Sequence, residues 1–423
     1  MTGFEGAALP DGWSWWPLKH VTSVLRRGTA PDYVDDGPVR VLSQAANQWQ
    51  GWDWKKTRFH GYTGNPRLLK GFLEPEDTLV NSTGTGTLGR VGFFVDAPDE
   101  RPCIADGHLT IARAIGGTVH PRFLYFYLRS SHALDFMMAT CVAGSTNQIE
   151  LNAERYGAVP VALPPMDEQR RIADYLDAET LRIDKMHSMQ SRVMGLLYER
   201  QRAFLESQFV DGVDHEIKPL ASLTDQTRPI MYGIVLPGPH VENGVPIVKG
   251  GDVAAGRLSL DKLSRTTREI ESRYARSRLA GGDLIIAIRG SVGEVALVPA
   301  QLTGANLTQD AARIAPSPHV DPSWLQFVLE TPFVAAEIQS RVTGATVKGI
   351  NIWDLKRTPI PVPSAAHQHR LSGCASESLS EYRRILARIS VQLNLLEERR
   401  RTLITAAVTG QFDVSTAGAG QYG

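Results

Sequence analysis

From Pro164 to about Val210 the chain reads PPMDEQRRIADYLDAETLRIDKMHSMQSRVMGLLYERQRAFLESQFV, with no proline after Pro165 and a single glycine. Asp167 is placed to cap a helix whose first turn also carries Glu168. Apolar residues then recur at alternating steps of four and three, at Ile172, Leu176, Ile183, Met186, Val193, Leu197 and Phe204. Glu179, Gln190 and Arg200 are the polar exceptions on that seam. This is the stripe of a coiled coil. At ~1.5 Å rise per residue such a stretch makes a rod roughly 60 Å long, too long to be covered by one small domain. It needs a partner.

The same chain offers one. Ala375, Leu379, Tyr382, Leu386, Ile389, Leu393, Leu396, Leu403 and Ala407 repeat the spacing, broken only by Arg400, and Gly410 follows as a stop. The two helices also align residue by residue. PPMDEQRRI matches VPSAAHQHRL, with Gln169 over Gln368, Arg171 over Arg370 and Ile172 over Leu371, while LLYERQR matches LLEERRR. The chain is a tandem duplication. Gln190 and Arg200 facing Arg400 either fix the antiparallel register or mark where a partner's helix enters the bundle.

With 423 residues the chain has room for two or three domains, and 42% hydrophobic with 21% charged residues is ordinary for a globular protein. No run of eighteen apolar residues and no secretory pattern is present, so the expected location is the cytoplasm. Cys103, Cys141 and Cys374 are far apart and odd in number, which reads as three free thiols without a zinc site. The formal charge is zero, from 45 basic and 45 acidic residues, so any nucleic-acid contact must come from local clustering.

In chain order, Trp13, Trp15 and Trp16 suit pinning an N-terminal segment to a core better than stacking on bases. Val39 to Leu42 reads as a strand. The stretch from Trp52 to Tyr62 mixes Lys55, Lys56 and Arg58 with aromatic rings, either as a surface facing phosphates or as an exposed loop. A glycine-rich turn, Ser82 to Arg90, joins two strands at Leu79 to Asn81 and Val91 to Val95. No Lys-Ser/Thr ends it, so it is a hairpin turn rather than a phosphate cradle. The same hairpin returns about two hundred residues later, at Leu284 to Ala287 and Val295 to Val298. Val119 to Leu124 matches Val320 to Leu325, each opening a helix. Gly144-Ser145-Thr146-Asn147-Gln148 matches Gly344-Ala345-Thr346-Val347-Lys348, and each half closes on a proline-punctuated strand before its long helix.

Two units, each ending in LPPMDEQRRI or the looser VPSAAHQHRL and followed by a long helix, resemble the specificity subunit of type I restriction-modification systems over residues 12 to 413. The resemblance implies an α+β fold of two tandem mixed α/β target recognition domains, each followed by a long helix, the helices pairing as an antiparallel coiled coil. The corresponding boundaries are 1–163 and 211–363 for the recognition domains, 164–210 and 364–413 for the spacer helices, and 414–423 for a flexible tail. It also implies that each domain reads one half of a split target in double-stranded DNA. Two methyltransferase subunits would dock on the helices, with restriction subunits as further partners and no membrane involved.

In that family the loop after the first hairpin strand and the Gly-Ser/Ala-Thr loop before the long helix face the duplex. The resemblance carries this over to Ser82, Thr83, Thr85, Arg90, Ser145, Thr146, Asn147 and Gln148 in the first unit. In the second it carries over to Arg289, Ser291, Thr346, Lys348 and Asn351, with Lys249-Gly250-Gly251-Asp252 and Thr308-Gln309-Asp310 as further candidates. The residue types suit the task, since Asn and Gln pair with adenine, Arg with guanine, and Ser, Thr and Lys with phosphates.

No catalytic motif accompanies them. Pro164-Pro165 lacks the Asn/Asp-Pro-Pro-aromatic context of an adenine methyltransferase, and there is no ATP-binding loop or convincing nuclease motif. The chain reads as a non-catalytic subunit without a cofactor or metal of its own; S-adenosylmethionine, ATP and Mg2+ are expected only in partner subunits. The competing reading is a non-catalytic coiled-coil scaffold whose two α/β units bind protein rather than DNA.

Overall fold

The computed structural model describes residues 9–84, 86–143, 149–211, 214–253, 258–344 and 347–416. The chain forms two compact units, one from residues 1–190 and 391–423 and the other from 191–390. Each unit joins one α/β body to part of both long helices, Met166–Glu206 and Ala365–Val408.

The body of the first unit is tied shut at its base. Strand Ser14–Pro17 pairs antiparallel with Pro160–Leu163, Ser14 opposite Leu163, immediately before the long helix begins. Trp13 and Trp15, flanking this strand's start, pack on the main core, while Trp16 stays exposed and bonds Ser14. Two sheets follow. One runs Thr22–Arg27, Leu109–Ala114, Thr78–Asn81, Val91–Phe93, all antiparallel. The other runs Cys103–Ala105, Val39–Leu42, Arg58–His60, Tyr33–Val34, its first pair parallel. Thr78–Asn81 is buried throughout, as expected of a central strand packed on both faces. Helices Pro121–Arg129 and Ser131–Phe136 complete the body, and Phe123, Phe126 and Tyr127 fill its core.

The second unit repeats this plan. Glu216–Pro219 pairs with Pro359–Val362, and a sheet of Met231–Tyr232, Ala311–Ile314, Leu284–Ala287 and Val295–Leu297 follows. Ser264–Thr266, Val245–Val248 and Asn306–Leu307 form the companion sheet, again with one parallel pair. Helices Pro322–Leu329 and Pro332–Ser340 take the places of the first unit's pair. One glycine recurs for steric reasons: a Cβ on Gly28 would lie 2.0 Å from the Ala105 carbonyl oxygen, and one on Gly233 would lie 1.9 Å from that of Leu307.

Within each unit the long helices pair antiparallel. In the first, Ile172 and Leu176 share a core with Ile404, Ala407 and Val408, and Asp184 meets Arg400. In the second, Arg200 lies over the Tyr382 ring, and Leu205 and Phe209 share a core with Ala375 and Leu379. As one number rises the partner's falls. Ile183, Leu386 and Ile389 are also buried, and Leu197, Phe204, Tyr382, Leu393, Leu396 and Leu403 are half-buried. Met186 and Val193 are 40% and 47% exposed, at the margin of the stripe rather than inside it. Arg400, expected opposite Gln190 and Arg200, has Asp184 as its partner. Asp167 sits inside the first helical turn and receives Arg170, so it is not the cap. Gly410, at φ 73°, follows the end of the second helix.

Each body grips one long helix through the amide at the start of its second short helix. Ser131 N–H donates to Thr405 Oγ1 at 2.9 Å in the first unit, and Phe333 N–H donates to Glu206 Oε2 at 3.0 Å in the second. Both acceptors lie near a long helix's C-terminal end.

Candidate nucleic-acid interface

The hairpin turn and the loop before the small helix, far apart in sequence, are brought together in both units. In the first, Ser82 N–H donates to the His108 carbonyl at 2.8 Å, Leu151 N–H donates to the Ser82 carbonyl at 2.8 Å, and Thr83 bridges to Glu150. In the second, Ile288 N–H donates to the Asp310 carbonyl at 2.9 Å, Ile350 N–H donates to the Ile288 carbonyl at 3.0 Å, and Arg289 bridges to Gly349. Turn, strand start and pre-helix loop form one end of each sheet. His108 therefore stands where Asp310 stands, a register finer than the apolar pattern alone resolves.

In the second unit this end carries an exposed set of polar side chains. Arg289 is half exposed, and its guanidinium lies 4.0 Å from the Asp310 carboxylate. Ser291 and Lys348 line a shallow cavity of about 190 Å³ with Gly290 and Gln339. Lys249 is exposed on a turn held by Asp252 accepting its backbone N–H at 2.9 Å, and its neighbour Gly250 lies against this end, where a Cβ would fall 2.9 Å from the Asp310 carbonyl oxygen and 3.3 Å from that of Arg289. Gln309 is half-buried, its backbone tied to Ile234. Arg289, Ser291, Lys348, Lys249 and Gln309 thus collect at one place. Asn351 departs from the expectation. Its side chain accepts from Asp354 N–H at 2.8 Å and donates to the Asp354 carboxylate at 2.7 Å, so its amide is spent capping helix Ile352–Lys356. Thr346 lies outside the described residues.

The first unit carries other side chains there. Thr83 Oγ1 lies 2.8 Å from His108 Nδ1 and 3.0 Å from Gln44 Oε1, at the rim of the turn. Beneath it Asp106 accepts from His108 N–H, and burial pushes its carboxyl above the usual range. Ser82 is corrected: it is wholly buried, with its hydroxyl bonded to Val80 O and the Thr110 hydroxyl, and it offers nothing to a ligand. Arg90 is corrected too. Its guanidinium donates to Gln48 Oε1 at 3.1 Å and to the Asn47 and Gly86 carbonyls, tying the small hairpin Asn47–Trp52 to the turn. Thr85, Ser145, Thr146, Asn147 and Gln148 lie outside the described residues.

The basic aromatic stretch is engaged by neighbouring parts of the protein. Arg58 lies 3.8 Å over the Tyr33 ring, and Arg40 and Arg101 lie over Phe59 at 4.8 Å and 4.7 Å. Phe59 thus already faces the protein's own guanidiniums, and Lys56 pairs with Asp53 at 3.0 Å. Lys55 keeps its amine unpaired among the described residues.

Sequence reading missed His108 and Gln44 as members of these clusters, while Asp310, a candidate from its place beside Gln309, stands against Arg289. The signal was weak because the hairpins differ in length: 25 residues separate Thr83 from His108 and 21 separate Arg289 from Asp310, so no fixed spacing marks the pair.

Comparison with known proteins decides what this repeated end belongs to. The family described as type I restriction modification DNA specificity domain matches residues 60–189 and again residues 240–373. The chain belongs to this family. The two matches fall one on each half of the duplication, and each runs into a long helix. The type I restriction enzyme EcoBI specificity subunit of Escherichia coli is 22% identical over 80% of this chain and 78% of its own length. The putative type I restriction enzyme MjaX specificity subunit of Methanocaldococcus jannaschii is 20% identical over 97% of this chain and 96% of its own. A solved chain from a structural study of complex assembly and conformational transition of the type I R-M system shares the fold. Its TM-score is 0.63, at 18% identity, with 96% of this chain and all of that one covered.

Proposed function

We propose that this chain is the DNA specificity subunit of a type I restriction-modification complex, each unit reading one half of a bipartite target and the paired helices docking methyltransferase subunits. The observation that carries the reading is the recurrence, in two units of one chain, of the same exposed loop-to-loop junction bearing different polar side chains. A duplicated reader with altered contact residues suits a target of two unlike half-sites. Specificity subunits are parts of assemblies with DNA and with modification and restriction subunits, and the pairing of two methyltransferase subunits with this chain is part of the proposal.

The catalytic chemistry, with S-adenosylmethionine, ATP and Mg2+, belongs in this account to the partner subunits, and the complex works in the cytoplasm. Among the described residues no helix is long and apolar enough to cross a membrane. Salt dependence of duplex binding by the assembled complex separates DNA recognition from the scaffold alternative. Contacts to several phosphates make affinity fall steeply between about 50 mM and 200 mM salt. A complex that binds no duplex at low salt would return the scaffold reading to the lead.

A further inference from the structure

One pair of positions is kept in place between the two units while its chemistry changes. The bonds from Ser82 N–H to His108 and from Ile288 N–H to Asp310 set the register. Thr83 and Arg289, the next residues along, each bridge to the segment before the small helix. Thr83 with His108 and Arg289 with Asp310 are therefore the same two positions, and in both units their side chains approach one another, at 2.8 Å and 4.0 Å.

Folding does not account for the second pair. Arg289 and Asp310 are 50% and 44% exposed, and an ion pair so solvated adds little to stability. At 4.0 Å the contact is too long for a hydrogen bond, so the guanidinium keeps its donors while the carboxylate's charge aligns it. No other side-chain partner holds Arg289 among the described residues. An aligned guanidinium with two free parallel donors matches the O6 and N7 acceptors of guanine in the major groove. The first unit puts a hydroxyl, an imidazole and the Gln44 amide at the corresponding positions.

We propose that these paired positions determine the base specificity of each unit, and that Arg289, aligned by Asp310 as a positioning residue, reads the guanine of a G·C pair in the second unit's half-site. The proposal rests on the chain being a DNA specificity subunit. Cells carrying the methyltransferase partner and Arg289→Ala, Arg289→Lys, Asp310→Asn or Thr83→Val are compared with wild type by mapping methylated adenines. Arg289→Ala admits other base pairs at one G·C position of one half-site, with discrimination there falling about 10- to 100-fold and the other half-site unchanged. Asp310→Asn weakens discrimination at that same position, and Thr83→Val relaxes a position in the opposite half-site. Arg289→Lys keeps the charge but loses the two-donor edge, and decides the matter if Arg289→Ala abolishes methylation altogether. Methylation that drops evenly on an unaltered motif would make Arg289 a phosphate contact and overturn the proposal, as would a relaxed position that is not G·C. Loss of any dependence of a split motif on this gene would instead remove the specificity reading underneath it.

Discussion

Arg400 reaches Asp184 with both terminal nitrogens, at 2.8 Å and 2.9 Å, across the paired helices of the first unit. The arginine side chain is only 6% exposed and the carboxylate 42%. A guanidinium in an otherwise apolar series is tolerated because a bidentate partner meets it, and the same requirement fixes which residues of the two helices stand opposite.

Asp184→Ala should therefore lower the first unit's stability by about 1–3 kcal/mol, since it strands a nearly buried cation. Adding Arg400→Leu in the same chain should recover most of that loss, because an apolar pair suits the seam. Urea unfolding of the two variants checks this, and a double variant no more stable than Asp184→Ala would contradict it.

Gln169 and Gln368 make the same clamp, one in each unit. Gln169 accepts from His120 N–H at 2.7 Å and donates to Pro164 O at 2.8 Å; Gln368 accepts from Asp321 N–H and donates to Pro363 O, both at 3.2 Å. Each joins the start of a long helix to the start of a body helix. Gln169→Ala leaves buried backbone groups unpaired and is expected to cost about 2–3 kcal/mol, with a smaller loss for Gln368→Ala because its bonds are longer. Gln169→Glu should not rescue, since it sets a carboxylate oxygen against the Pro164 and Thr118 carbonyls. Denaturation midpoints of the three variants report this order.

Thiol chemistry should separate the three cysteines. Burial pushes the Cys103 thiol up to about 12 and raises that of Cys141, whereas Cys374 is exposed on the second long helix. A raised thiol pKa keeps sulfur protonated at neutral pH, and only the thiolate attacks. At pH 8 the folded chain should take up one equivalent of an alkylating reagent, none after Cys374→Ser, and three when denatured.

The long helices and their pairing were legible because apolar periodicity survives on a seam tens of residues long, and Gln169 over Gln368 marked a buried duty common to both copies. The hairpins were legible from apolar runs around glycine. The state of individual polar residues was not. Ser82 and Arg90 are occupied by Thr110 and Gln48, residues about thirty to forty positions away whose proximity only the fold creates. Asn351 was a nearer miss, since Asn351-Ile352-Trp353-Asp354 carries a helix-cap pattern that the DNA reading overlooked. Duplication also hides substitutions of partner. The buried Asp77 and Asp283 occupy matching turns, yet their arginines, Arg113 and Arg228, come from different places in the two units. Nor does periodicity reveal that the compact units divide both helices near their middles.

The most direct test of the central claim is single-molecule mapping of methylated adenine in host DNA with this gene intact and with it deleted, the methyltransferase partner being expressed in both. A split motif of two short half-sites and a fixed gap should lose its methylation on deletion. Unchanged methylation, with the methyltransferase present, would contradict the assignment of sequence specificity to this chain.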